Sequence, residues 1–271
     1  MYIDAHCHPF NCLEYMSKDE IETRGNIAIA ASSWNPEQFE YHKSLAENAA
    51  TKGNAPVVLC FAVHPQFPSY SAKENTDKSP YYIDDVLLPF MENLAEKKQL
   101  HAIGETGFDL FNDEYRNTEK IQDDIFAHHL EIALEYGLPM VLHVRRAMHK
   151  IFLHAKKLKE LPAVVFHSWS GTAAEAESML RHGVNAFFSF GAVIVNNHKQ
   201  AQACCAMLPS ERLLFETDAP YQPPRSKTFS SWADLSLIYK TAADLRGVNV
   251  ADLENIAADN FARAFGAKLA K

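Results

Sequence analysis

Long apolar runs are missing from this chain. No segment approaches the roughly 18 uncharged apolar residues needed to span a bilayer. No basic region followed by an apolar stretch stands near Met1, so no secretory signal is expected. Cysteine is sparse and shows no paired spacing. Cys7, Cys12, Cys60, Cys204 and Cys205 are odd in number and include no Cys-x-x-Cys pair. That argues against a disulfide framework or a zinc finger, and for a reduced, cytoplasmic setting. Positive charge is short as well: 26 Lys and Arg stand against 34 Asp and Glu, a net charge of -8 with histidine neutral. Wholesale wrapping of duplex nucleic acid needs a basic surface, and this balance argues against it. An anionic ligand stays open where cations are concentrated locally, for example by metal ions.

What is present is a regular alternation. Apolar residues make up 47% of the 271, enough for a substantial core. Short β-branched or aromatic runs at 2–6, 26–31, 56–63, 101–104, 139–144, 162–167, 185–189 and 213–217 read as eight strands. Helical patterns lie between them. One spans 36–51, opened by Asn35 as N-cap and Pro36 at N1. A second spans 83–98, where Pro89 predicts a kink or a later start. A third spans 121–136 and is closed by Gly137. Shorter patterns cover 173–181 and 199–208, and a C-terminal pair covers 232–246 and 251–265. Eight strand–helix repeats predict an α/β fold, a single (β/α)₈ barrel over residues 1–271, with a doubly wound sheet as the alternative. No Gly-x-Gly-x-x-Gly turn follows a strand, which weakens a dinucleotide-binding fold. The polar stretch 64–80 reads as a loop on the barrel rim.

In such a barrel the active site lies at the C-terminal ends of the strands. His6 and His8 close the first run one residue apart, on the same side of a strand. Glu105, His143, His167 and Asp218 close the fourth, fifth, sixth and eighth. Five strands thus end in a metal-capable residue at the same end. Four histidines and two carboxylates exceed what one ion with an open position needs. Two ions use them naturally: His6, His8 and Asp218 on one, His143 and His167 on the other, Glu105 bridging. Two divalent ions against two carboxylates leave a site of about +2, which favours an anionic substrate. His42, His128, His129, His149, His154, His182 and His198 fall in helical or surface patterns, and His101 opens a strand at the far end; these read as structural or solvated.

The strings Asp4-Ala5-His6-Cys7-His8, Val63-His64-Pro65, Ile103-Gly104-Glu105-Thr106-Gly107-Phe108-Asp109, His143-Val144-Arg145, His167-Ser168-Trp169-Ser170-Gly171, Glu216-Thr217-Asp218-Ala219-Pro220-Tyr221 and Asn260-Phe261 occur in that order along the chain. Together they resemble the TatD-type metal-dependent deoxyribonucleases, a branch of the amidohydrolase superfamily of TIM barrels. The resemblance implies nuclease or phosphodiesterase activity with two divalent ions (Mg²⁺, Mn²⁺ or Zn²⁺), bridged by Glu105 rather than by a carboxylated lysine. The substrate expected is DNA or another phosphoester, cut at an end or on a single strand. No membrane and no obligate protein partner is indicated.

Asp218 and Glu105 are the expected catalytic groups, with Asp218 holding the attacking water and taking its proton. Arg145 and Arg225 are expected to clamp phosphate oxygens, and His64 to hydrogen-bond them. Trp169, Phe108 and Tyr221 are expected to offer faces for base stacking. One segment departs from the family. Its usual Arg-Gly-Lys-x-Asn-Glu-Pro is replaced here by Pro224-Arg225-Ser226-Lys227-Thr228-Phe229-Ser230-Ser231-Trp232. Two other readings share the same residues: a hydrolase of amides, lactones or phosphotriesters, and a barrel that binds without turnover.

Overall fold

The computed structural model describes residues 1–69 and 82–269. Eight parallel strands form one sheet in chain order: β1 (Ile3–Cys7), β2 (Ala28–Ser33), β3 (Val57–Phe61), β4 (Ala102–Asp109), β5 (Met140–Arg145), β6 (Val164–Phe166), β7 (Ala186–Phe190) and β8 (Leu213–Phe215). All eight expected strands are present. The sheet curls into a nearly closed barrel with helices between the strands, so the (β/α)₈ expectation holds and the doubly wound alternative does not. Parallel strands covered by crossover helices are buried on both faces, and seven of the eight are buried at every residue.

The strand ends depart from the sequence reading for identifiable reasons. β8 stops two residues early because the Thr217 amide leaves the ladder and donates to Asp4 Oδ1 at 2.9 Å. The Thr217 hydroxyl donates to the other Asp4 oxygen at 2.6 Å. Two more bonds join the ends of the first and last strands: Asp218 N to His6 O at 3.0 Å, and His8 N to Ala219 O at 2.7 Å. β4 instead runs five residues past its expected end, through a register shift between Ile103 and Thr106. It then pairs with β5, with Gly107 opposite His143.

The main helices are α1 (Pro36–Lys52), α2 (Leu88–Glu96), α3 (Glu119–Tyr136), α4 (Ala173–Arg181), α5 (Lys199–Met207), α6 (Leu235–Arg246) and α7 (Val250–Phe265). Asn35 caps α1 by accepting from Gln38 N at 3.0 Å. The stretch expected as one helix over 83–98 is a wide π turn at Ile83–Leu87 followed by α2, with Pro89 in the first turn where a missing N–H costs nothing. Gly137 ends α3 in the left-handed conformation, φ 62°. Asn260 on α7 donates to the carbonyls of Ser210 (2.8 Å) and Leu213 (2.7 Å), tying the last helix to the start of β8. Of the expected rim loop, residues 70–80 lie outside the described residues. Among the described residues, no helix is long and apolar enough to cross a membrane.

Candidate metal centre

The barrel brings the six expected ligands to one end. His6 lies at the end of β1 and is fully buried, and His8 follows one residue past the strand. Their Nε2 atoms stand 3.1 Å apart. Glu105 sits between the histidines. Its Oε2 is 3.1 Å from His6 Nε2, and its Oε1 is 2.8 Å from His143 Nδ1 and 2.9 Å from His167 Nε2. Asp218 Oδ1 lies 3.5 Å from His6 Nε2 and 3.4 Å from His8 Nε2. Three sets of side chains can each hold a metal ion: His6, His8 and Asp218; His6, Glu105 and His167; His64, Glu105 and His143.

His64 is the addition. It was expected on the substrate, yet its Nε2 stands 3.1 Å from Glu105 Oε1, among the candidate ligands.

The hydrogen bonds behind the ligands fix which ring nitrogen faces the centre. His8 Nδ1 meets the carbonyl of Ser32 at 3.2 Å. A carbonyl only accepts, so Nδ1 carries the proton and Nε2 keeps its lone pair. His143 Nε2 meets Asp109 Oδ2 at 3.0 Å, so there Nε2 donates and the lone pair is on Nδ1. Both lone pairs then face carboxylate oxygens, which is repulsive unless a proton or a cation lies between them. Asp218 Oδ1 is buried and has no hydrogen-bond partner. A buried carboxylate oxygen without a partner, ringed by imidazole lone pairs, is the donor set of a divalent cation. The residues present fit the metal that the sequence implies.

Titration points the same way. Burial raises the Glu105 carboxyl, but His167, His64 and His6 outweigh it and hold the group well below the usual range. Burial also raises Asp218, and the facing His8, His6 and His167 outweigh it and pull the group below its ordinary value. Burial lowers His8, but Asp218 and Glu105 carry it up to about 9. The paired carboxylates demand positive charge at this spot.

Two supporting carboxylates have no assigned role in the sequence reading. Glu105, Gly107 and Asp109 alternate along β4, so they share a face. Because Gly107 is the residue opposite His143, Glu105 and Asp109 reach that imidazole from either side. The alternation was the available signal. Glu216 is fully buried; its Oε1 accepts from Ser168 N at 2.6 Å and lies 3.4 Å from His167 Nδ1. It stands two residues before Asp218.

The centre opens into a cavity of about 560 Å³ whose walls include Trp34, His64, Arg145, Tyr221 and Gln222. Arg145 is exposed there, its guanidinium 3.5 Å from the Phe111 ring centroid. Tyr221 and Trp34, the latter not foreseen, both pack beside His8, with ring centroids 5.3 and 5.2 Å from it. Trp169 and Phe108 offer no stacking face. Trp169 is 3% exposed and wedged against Phe166 and Phe188, and Phe108 is buried against Phe126. Arg225 is exposed but lines a neighbouring hollow rather than this cavity. Lys227 is engaged with Asp234 at 2.5 Å, and Trp232 is buried.

Similarity to known proteins agrees with this centre. The "Uncharacterized metal-dependent hydrolase YcfH" of Escherichia coli K12 is 28% identical over 286 residues, covering 97% of this chain and 95% of that protein. A Cronobacter sakazakii protein named "3'-5' ssDNA/RNA exonuclease TatD" is 35% identical over 182 residues, 64% of this chain and 67% of its own length. The crystal structure of YjjV, a TatD homologue from Escherichia coli K12, superposes with a TM-score of 0.79 at 24% identity over 98% of each chain. The family described as TatD related DNase matches residues 3–266. That match over nearly the whole length, on a barrel whose strand ends converge on a metal-binding cluster, makes this chain a member of the TatD-related family of metal-dependent hydrolases.

Proposed function

We propose that this chain, acting as one domain over residues 1–271, is a two-metal phosphodiesterase that cuts DNA or a related nucleic acid, at an end or on a single strand. The observation that carries the reading is Glu105, whose two oxygens face different histidine sets beside an Asp218 oxygen with no partner. His6, His8 and Asp218 would hold one divalent ion, and His143 and His167 the other, with Glu105 shared and His64 beside it. Such ions supply Lewis acidity and an activated water. The similarity to proteins named as single-strand exonucleases supports the phosphodiester over other esters.

The chain's own groups supply the rest. Asp218 Oδ1 faces His6 and His8, and Gln222 Nε2 donates to Oδ2 at 2.6 Å, which orients the carboxylate and leaves a second lone pair on Oδ2 to accept the proton of the attacking water. The facing histidines keep this carboxyl ionised at neutral pH, as that role requires. Arg145 faces the cavity with a guanidinium suited to two phosphate oxygens. Tyr221 and Trp34 present rings on which a base can stack. Phe111 holds Arg145 from its outer side. The closed ends of β1 and β8 keep Asp218 in the left-handed region, φ 55°, with its side chain turned inward.

The test is digestion of end-labelled single- and double-stranded DNA and RNA by chelator-stripped protein, with Mg²⁺, Mn²⁺ or Zn²⁺ added back. Cleavage that returns only with metal is expected, together with a loss of about 10²- to 10⁴-fold in Asp218→Asn. Turnover of lactones, amides or other small esters without any cut oligonucleotide would replace this reading with the broader amidohydrolase one. Undiminished cleavage by Asp218→Asn would remove the general-base role.

A further inference from the structure

Beside the metal centre lies a second hollow of about 510 Å³, which shares Val193, His198 and Gln222 with the main cavity. Its remaining wall is Asn196, Asn197, Lys199 and Arg225. In a chain of net charge -8, this wall carries two cations and no carboxylate. The hollow is held in shape by the loop after β8. Arg225 N donates to Asn196 Oδ1 at 2.9 Å, and Asn196 Nδ2 donates to Pro223 O at 3.1 Å. These bonds fix Arg225 against the turn that precedes α5. Gln222 is the partition. It donates to Asp218 Oδ2 at 2.6 Å and accepts from Ser168 Oγ at 2.8 Å, so one side chain separates the hollow from the proposed general base.

We infer that this hollow is a subsite for a second phosphate of a single-stranded polynucleotide whose scissile phosphate lies at Asp218, held there by Lys199 and Arg225. The inference rests on the phosphodiesterase reading above and deepens it. A guanidinium and an ammonium with two neighbouring amides match the oxygens of a phosphodiester. The two cavities share one wall, so a chain with one phosphate at Asp218 has the hollow next to it, across the Gln222 side chain. The arrangement divides the two cations of this loop: Arg225 serves the neighbouring phosphate, while Lys227 holds Asp234.

The experiment compares a dinucleotide, which has one phosphodiester, with a decanucleotide on the metal-loaded full-length protein. It uses Lys199→Gln, Arg225→Gln and the double variant. In the double variant the ratio of KM for the decanucleotide to KM for the dinucleotide is expected to rise about tenfold. The slope of log affinity against log salt for a labelled decanucleotide is expected to fall by about 0.7 for each cation removed from a phosphate. An unchanged ratio overturns the subsite. An equal rise on both substrates places the cations on the scissile phosphate and also overturns it. So does inorganic phosphate that binds wild type but not the double variant while the ratio stays fixed, since the hollow then takes a free anion. If no nucleic acid is cut, the phosphodiesterase reading falls separately. Fluorescence anisotropy of the labelled decanucleotide then still decides the subsite, with affinity indifferent to both substitutions counting against it.

Discussion

Asp109 shows how much of this centre depends on side chains that never reach the cavity. Its Oδ2 accepts from His143 Nε2 and from Gln66 Nε2 at 2.7 Å, and its Oδ1 accepts from Phe111 N at 2.9 Å. The first bond sets the His143 tautomer, and such supporting carboxylates typically carry 10- to 100-fold in metal affinity or activity. Asp109→Asn should therefore weaken metal binding by about that factor, read by titration with Mn²⁺ or Zn²⁺, while the far-UV spectrum stays native. Two buried histidines work as neutral struts. His42 Nε2 accepts from Phe10 N at 3.0 Å and His129 Nε2 from Val63 N at 3.3 Å; burial pushes both rings down to about 3. A histidine whose folded value lies below its unfolded value of about 6.5 contributes stability above pH 6.5 and loses it as pH falls toward 3. The stability gap between wild type and His42→Gln should accordingly narrow as pH falls from 6.5 to 4, measured by urea unfolding at each pH. A gap independent of pH would mean that His42 titrates in the folded protein as it does in the unfolded chain.

Among the elements, β4 sets the site. It carries Glu105, Thr106 and Asp109, and it can do so only because Gly107 lets the backbone approach β5. A Cβ on Gly107 would meet His143 O at 2.2 Å, and the residue sits at φ 129°. Gly107→Ala should cost about 2–3 kcal/mol of stability and displace His143, seen as a lower thermal midpoint together with weakened metal binding. The eight strands were legible because a buried parallel strand is a short apolar run with few competing readings. Their ends were less so. β8 stops where the Thr217 amide turns to Asp4, a residue more than two hundred positions away, and no local pattern announces such a partner. The helix starts followed local chemistry more closely: Asn35 caps α1, and Thr172 with Glu175 forms a capping box on α4.

Over the whole molecule, the candidate metal cluster joins the first strand of the barrel to the last. His6 and His8 come from the first strand and Asp218 from the end of the last, so a cation bound there by the folded state alone stabilises the barrel closure. At about 100 times its dissociation constant, such a cation adds about 2.7 kcal/mol. For a chain of this size the thermal midpoint should rise by about 5 °C on adding Mn²⁺ or Zn²⁺ to chelator-treated protein, and the rise should vanish in His8→Ala. The eight-strand alternation, the ligand types and their place at strand ends were all present in the sequence, because hydrophobic periodicity and ligand chemistry are local properties. Everything that depends on side chains meeting across the barrel required the tertiary structure. Phe108 and Trp169 sit near ligands in sequence yet face the core: Phe108 alternates with Asp109 along β4 and so points to the opposite side, and Trp169, past the end of β6, packs on Phe166 and Phe188. Trp34 entered the site from a position that carries no motif of its own, and the Asp109 carboxylate was readable only from its alternation with Glu105. Arg225, expected to clamp phosphate, lines the neighbouring hollow instead of the cavity at the candidate ligands, since its backbone is held by the Asn196 side chain.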